Sequence, residues 1–373
     1  MLRVHFLKVG HGDCTIIKHP SGRLTMVDIN TSQDYDRRSF DDLVAEEAQK
    51  LNPIGLGFGG SVANALLGET YRPPPANALG AFTAPPPAGN ALRGLAQAFA
   101  QADRPAPANA LLGLGQLYRP GYYEALAKAK SELTDPIAFL RATYPNEKLW
   151  RFVLTHPDLD HMRGLKRLHD AIGFYVFWDT NHTKPTPEYR SGDDKVDWEF
   201  YQALRNDPRR RRYHRGDALF AFAADEYGNP GGDNIQILSP TPALVQACNS
   251  AAKSNDLSIV LRLWHAGKSI LLPGDAEKAA WESMVLHFGQ GLKSDFLKAS
   301  HHGRDTGYNL DAVKLVAPLV TFVSVGRKPD TDASSKYRQQ CNKVASTRYH
   351  GNMELRIHDD GRVEWFVDRN VNN

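Results

Sequence analysis

Apolar positions in this chain come in short runs cut by glycine, proline and polar turns. Residues 1–7 alternate apolar with polar like a strand, and the runs at 4–9, 13–18 and 24–28 predict a strand meander, with Pro20-Ser21-Gly22 as one of its turns. Continuous β-rich runs at 149–154 and 173–178 predict buried strands, and the helical spacing over 164–172 places a helix between them. A second half repeats the theme. Strands are expected at 234–238, 257–264, 269–272, 295–299, 319–325, 355–357 and 363–366, with a helix over 276–287. Helices are also expected over 122–133 and from Asp135 onward. A meander followed by two such halves predicts an α/β fold of two sheets flanked by helices.

One stretch breaks the pattern. Residues 45–120 are rich in Ala, Pro, Gly and Leu, with Ala63-Asn64-Ala65-Leu66 recurring in similar form at 76–79, 89–92 and 108–111. Prolines this frequent preclude long helices. The chain therefore divides into 1–44 and 121–373, two parts of one domain, around an insertion at 45–120. That insertion reads either as a low-complexity linker or as a surface for self-association or a protein partner.

Composition narrows the class. The chain has 373 residues and a formal net charge of +3, so no acidic or basic partner is imposed by charge alone. Cys14, Cys248 and Cys341 are isolated, which supports neither a disulfide framework nor a thiolate metal site and fits a reducing cytoplasm. The first residues lack the apolar core of a signal peptide, and no run approaches the roughly 20 apolar residues that span a bilayer. A soluble cytoplasmic protein is expected.

The candidate chemistry sits at strand ends. Thr155-His156-Pro157-Asp158-Leu159-Asp160-His161 packs two imidazoles and two carboxylates into a strand-to-helix turn. Such groups are costly there unless they face water or hold a cation, and His with Asp suits a divalent metal. Asp275 follows Gly274 at another strand end, and His301-His302-Gly303 follows a third. Strand ends converge at one edge of an α/β sheet, where ligands bind. Arg209-Arg210-Arg211-Arg212 with Arg215, near Tyr213, reads either as a phosphate-gripping cluster or as a solvated loop.

In this order, the motifs resemble the metallo-β-lactamase fold. Lys8-Val9-Gly10-His11-Gly12-Asp13, the 155–161 turn, the segment from Asn255 to Asp275 and Phe296-Leu297-Lys298-Ala299-Ser300-His301-His302-Gly303 resemble the hydrolase domain of ComEC-type competence proteins. The resemblance implies an αββα sandwich carrying one or two divalent ions, zinc or manganese. It implies that Asp160, His161, Asp275 and His301 hold one ion and that His156 and Asp158 serve a second. It places Asp28 and Asn255 along the site, and makes His302 either a ligand in place of His301 or a proton donor.

Two departures stand out. Asp158 occupies the position where the family's wider pattern has a histidine, and a carboxylate shifts preference from zinc toward harder ions. The family's further histidine has no clear counterpart; His182 and His214 are substitutes by position, His265 sits in a hairpin turn, and His169 reads as a helix-surface residue. The expected function is hydrolysis of a phosphodiester in nucleic acid or a nucleotide, with Asp160 orienting the attacking water and His302 protonating the leaving oxygen. The alternatives are another ester or amide (a lactone, β-lactam, thioester or phosphocholine ester), or a partner-binding protein with a structural metal.

Overall fold

The computed structural model describes residues 1–31, 131–217, 224–326 and 331–369. The insertion expected at 45–120 lies outside the described residues, as does the helix expected over 122–133 apart from its last residues.

Two sheets face each other. The first has eight strands in the order β16-β15-β1-β2-β3-β5-β7-β8. These are β1 (Leu2–Phe6), β2 (Thr15–Lys18), β3 (Leu24–Val27), β5 (Leu149–Val153), β7 (Phe174–Asp179), β8 (Arg210–Arg212), β15 (Met353–Ile357) and β16 (Val363–Val367). The second has six strands in the order β14-β13-β12-β11-β10-β9. These are β9 (Ile235–Ser239), β10 (Val260–His265), β11 (Lys268–Leu272), β12 (Phe296–Lys298), β13 (Val320–Val323) and β14 (Lys343–Ser346). A short parallel pair, β4 (Ile29–Asn30) with β6 (Met162–Arg163), stands beside the turn that follows β5.

Period-two patterning explains the layers. Along β1, Leu2, Val4 and Phe6 point into the apolar layer between the sheets, while His5 faces the other way and meets Tyr144. That layer also receives Val153 and Trp178 from the first sheet and Leu261, Leu272, Phe296 and Phe322 from the second. The rings of Phe6 and Phe322 stack across it at 4.7 Å. Helices α1 (Pro136–Thr143), α2 (Leu165–Ala171) and α3 (Gly192–Leu204) cover the outer face of the first sheet through Leu140, Leu168 and Trp198. After α4 (Pro242–Ser250), helices α5 (Lys278–Phe288), α6 (Leu310–Val316) and α7 (Ser334–Arg338) cover the second through Trp281, Val313 and Tyr337. The result is an αββα sandwich, as the sequence led us to expect.

Several elements were not anticipated. Helix α3 and strand β8 lie in a segment that reads as polar and charged. Helix α3 is nonetheless specified: Ser191 caps it, Asp193 and Asp194 fill its first turn, and Trp198, Tyr201 and Leu204 are buried on one face. Helices α4, α6 and α7 and strand β14 were also missed. Among the described residues, no helix is long and apolar enough to cross a membrane.

The parallel neighbours matter most for function. Strands β3, β5 and β7 run in parallel, as do β11, β12 and β13, so each group delivers its C-terminal ends together. The backbone N–H of Ile259 donates to Thr155 O and ties the two sheets at that edge. Because Phe322 is fully buried where the sheets meet, Phe322→Ala should cost about 3–5 kcal/mol of stability. Denaturant unfolding of the two proteins measures this, and a change below about 1 kcal/mol would contradict the packing described.

Candidate metal centre

Four strand ends build the centre. The chain leaves β5 through Thr155 and His156, then forms a short 3₁₀ turn (Leu159–His161) that carries Asp160 and His161. It leaves β3 at Asp28, whose φ is 57°, and β11 through Pro273 and Gly274, whose φ is 56°, to reach Asp275. Beyond β12 come His301 and His302, with φ of 48° and 54°. Left-handed backbone is unfavourable for Asp and His, so the surrounding sheets must hold these residues in place. Two glycines are required by close approach. A Cβ on Gly274 would lie 2.9 Å from Thr155 Cβ, and one on Gly12 would lie 2.6 Å from the carbonyl oxygen of Asp160.

The geometry has a hub. His161 Nε2 lies 3.3 Å from Asp275 Oδ2, His302 Nε2 lies 3.5 Å from it and His156 Nε2 lies 4.0 Å from it. On the far side, His302 Nε2 is 3.5 Å from Asp160 Oδ2. The Nδ1 atom of each imidazole is anchored: on Thr155 Oγ1 for His156, on Asp28 Oδ2 for His161 at 2.8 Å, and on Ser324 O for His302. With Nδ1 donating to these oxygens, each Nε2 faces inward, where a metal ion would take its lone pair in place of a proton. All three buried Nε2 atoms, and Asp275 Oδ1, make no hydrogen bond within the protein. Converging acceptors that lack a donor are what a cation needs, so the residues fit a divalent metal.

Charges agree with this arrangement. Burial alone would raise the Asp275 carboxyl, but His161 and His302 hold it well below the usual range. Asp160 behaves alike, pushed up by burial and brought well down by the nearby imidazoles of His302, 3.5 Å away, and His161. Burial lowers an imidazole, yet Asp275 and Asp28 keep His161 well above its ordinary value, and Asp275 and Asp160 raise His302. His156 is lowered by burial and by the neighbouring His161. Four acid and imidazole groups thus sit as a mutually charged cluster that a metal ion would reorganise by displacing protons.

The structure brings together most of the residues singled out from sequence and moves some. His156, Asp160, His161 and Asp275 share the centre with His302. His301 turns to the rim: its Nδ1 meets Thr306 Oγ1 at 2.7 Å and Glu277 Oε1 at 2.9 Å, and its Nε2 is 3.8 Å from Asp275. The two histidines therefore exchange roles, with His302 the inner donor. Asp158 reaches Lys184 Nζ at 2.6 Å and stays 3.7 Å from His156. Asp28 stands behind His161 rather than lining the cavity, accepting from Thr155 N and Oγ1 as well. Asn255 touches the site only through Glu277.

Other candidates lie elsewhere. His182 bonds Tyr201 Oη at 2.6 Å and accepts from the Lys184 amide, so both of its nitrogens are engaged. His169 packs on Phe174 and Phe200, His214 pairs with Asp217, and His265 with Asp359. The arginines do not form one phosphate grip. Arg210 is tied to buried Asp179, Arg209 to Asp207, Arg215 to Leu238 O and Ser283, and Arg211 to the carbonyls of Pro208 and Arg210, while Arg212 is exposed. The Arg210 pair binds β8 to the C-terminal end of β7, and Arg215 reaches β9 and α5.

Sequence reasoning assigned no role to several residues that matter. Asp13 lies within reach of Asp275 and His302 and forms a buried ion pair with Lys298. Both stand in the motifs quoted above, and the glycines around Asp13 were the available signal. Thr155, Glu277 and Lys184 act through partners distant in sequence, and no local pattern marks them.

Compared with profiles of known protein families, the chain matches none. ComE operon protein 3 of Bacillus subtilis (strain 168) is 27% identical over 132 residues, 35% of this chain and 15% of that protein. The uncharacterized protein YcaI of Escherichia coli (strain K12) is 26% identical over 114 residues, 29% of this chain and 15% of that protein. The chain thus spans about 15% of the length of each of these relatives. Among solved structures, Igni18, a novel metallo hydrolase from the archaeon Ignicoccus hospitalis, aligns over 98% of both chains at 12% identity and a TM-score of 0.39. A mutant of CmlA beta-hydroxylase aligns over 95% of this chain and 54% of its own, at 11% identity and a TM-score of 0.39.

Two outcomes follow from the centre's geometry. Asp28→Asn removes the charge and one of the two accepting oxygens behind His161 and Thr155, and divalent-metal affinity should fall about 10–100-fold, as titration calorimetry would read. Unchanged affinity would separate Asp28 from the centre. Because His161 and His302 are raised, loading the protein with metal near neutral pH should release protons, and affinity should climb as pH rises above about 6.5. Calorimetry in buffers of different ionisation enthalpy measures the released protons, and none released would contradict the charged cluster.

Proposed function

We propose that this chain is a metal-dependent hydrolase of phosphodiesters, in nucleic acid or a nucleotide. The observation that carries the reading is a set of overlapping groups in which Asp160 meets His161 and His302, and Asp275 meets His156 and His161, with Asp13 close to Asp275 and His302. A donor set this rich in carboxylate suits the hard or borderline ions used on phosphoryl groups. The resemblance of the motifs to the ComEC-type hydrolase domain, a branch associated with DNA degradation, supports the same substrate.

Asp160, His161, Asp275 and His302 would hold the ion, with His156 beside them. A divalent ion bound there supplies a Lewis acid for a phosphoryl oxygen and lowers the pKa of water toward neutrality. The protein's own groups do the rest. Asp160, held ionised by His302, can orient the attacking water through its second oxygen. His301, 16% exposed and fixed by Glu277 and Thr306, is placed at the rim to give a proton to the departing oxygen. Lys184 adds a positive charge at the mouth.

A panel of single-stranded DNA, bis-p-nitrophenyl phosphate, a lactone and a thioester, each with manganese or zinc, tests the substrate class. Turnover is expected on the two phosphodiesters, and Asp275→Asn should lower it about 100-fold or more. Cleavage of the lactone or thioester alone would replace this reading with another metallo-hydrolase. His301→Ala should slow DNA cleavage about 100-fold while leaving bis-p-nitrophenyl phosphate nearly unaffected, because p-nitrophenolate leaves without a proton. An equal loss on both would remove His301 from the leaving-group step.

A further inference from the structure

The inner group of Asp160, His161, Asp275 and His302 offers four donors, whereas His156 gathers with His161 and Asp275, both of which the inner group already uses. A second cation there would take His156 Nε2, Asp275 and an oxygen of Asp158. The Asp158 oxygen nearest His156, Oδ1 at 3.7 Å, is the same oxygen that accepts a hydrogen bond from Lys184 Nζ at 2.6 Å. The further histidine that would complete the set is missing as well. His182, two residues before Lys184, is closed by Tyr201 on one nitrogen and by the Lys184 amide on the other. Asp256 is engaged with the amides of Glu277 and Ala280 at the start of α5, and Asn255 with Glu277.

We propose that the chain holds a single divalent ion, and that the Lys184 ammonium on Asp158 stands in for the second, binding an anionic oxygen of the substrate. This rests on the phosphodiester reading above. An ammonium has three N–H donors, of which Asp158 takes one, so the remainder can meet phosphoryl oxygens. Asp158 and Lys184 are 29% and 24% exposed, which puts the pair at the mouth, open to an incoming phosphate.

The test is metal stoichiometry, with Mn²⁺ as the probe, on the full chain. Titration of the wild-type protein should saturate at one equivalent, with the six-line spectrum of isolated Mn²⁺ in electron paramagnetic resonance. Lys184→Met frees Asp158 and should take up a second equivalent with an exchange-coupled signal, while Lys184→Arg, which keeps the charge, should remain at one. With one equivalent bound, inorganic phosphate should bind Lys184→Met about tenfold more weakly than wild type. Two equivalents on the wild type, or one on Lys184→Met, would overturn the inference. Should Lys184→Met fail to fold, the wild type and Lys184→Arg still decide the stoichiometry. Absence of phosphodiester turnover in a protein that binds one ion would fail the functional reading and leave the stoichiometry standing.

Discussion

A buried carboxylate facing several imidazoles is the constraint around which this fold closes. Asp275 sits where the two sheets meet, and the nitrogens that approach it come from both. His156 and His161 follow a strand of the first sheet; Asp275 and His302 follow strands of the second. Neither sheet makes half a usable site alone. The relative position of the sheets, set by an apolar layer that includes Phe6, Phe322, Val153 and Leu272, therefore decides whether the donors converge. Charged groups at this depth are tolerated only when each finds a counter-charge, which ties the chemistry directly to the packing.

Backbone strain is concentrated at the same place. Asp28, His301 and His302 all adopt left-handed φ, at a cost of about 1–3 kcal/mol each, and Gly12 and Gly274 are pinned by contacts a side chain could not survive. Asp28 gains three hydrogen bonds in that conformation, two from Thr155 and one with His161. The strain thus has a structural return: it points one carboxylate backward to orient a ring, while the next strand end points another carboxylate forward to meet it. At 301 and 302, consecutive left-handed residues send one imidazole to the rim and the other inward.

The architecture was legible because its signals are local. Short β-rich runs over residues 4–28, 355–357 and 363–366, and continuous apolar runs ahead of Thr155, Gly274 and Ser300, mark the strands, and the last three end in unusual polar groups. Helix α3 was lost because its buried stripe of Trp198, Tyr201 and Leu204 is embedded in charged residues that face outward. In the centre, the strand ends named from sequence are ones the structure brings together, but which of two adjacent histidines turns inward depends on φ at each. The arginine cluster misled for a related reason. Its density in sequence says nothing of Asp179, Asp207 or the carbonyl of Leu238, which fold back to meet those side chains.

Asp158 shows how one carboxylate shapes its surroundings. An imidazole at that position would offer a neutral donor; a carboxylate brings a charge that must be balanced. Lys184 supplies the balance from a segment remote in sequence, and the amide of the same residue closes His182. A tethered ammonium differs from a metal ion in carrying one charge rather than two, in having donors instead of open coordination positions, and in never dissociating. It can steer and hold an anionic oxygen but cannot acidify a water molecule. On this arrangement the acid–base demands fall on the inner group of Asp160, His161, Asp275 and His302, and on the rim histidine His301, while recognition of charge falls on Lys184. The unequal furnishing of the two positions is then a division of labour between them.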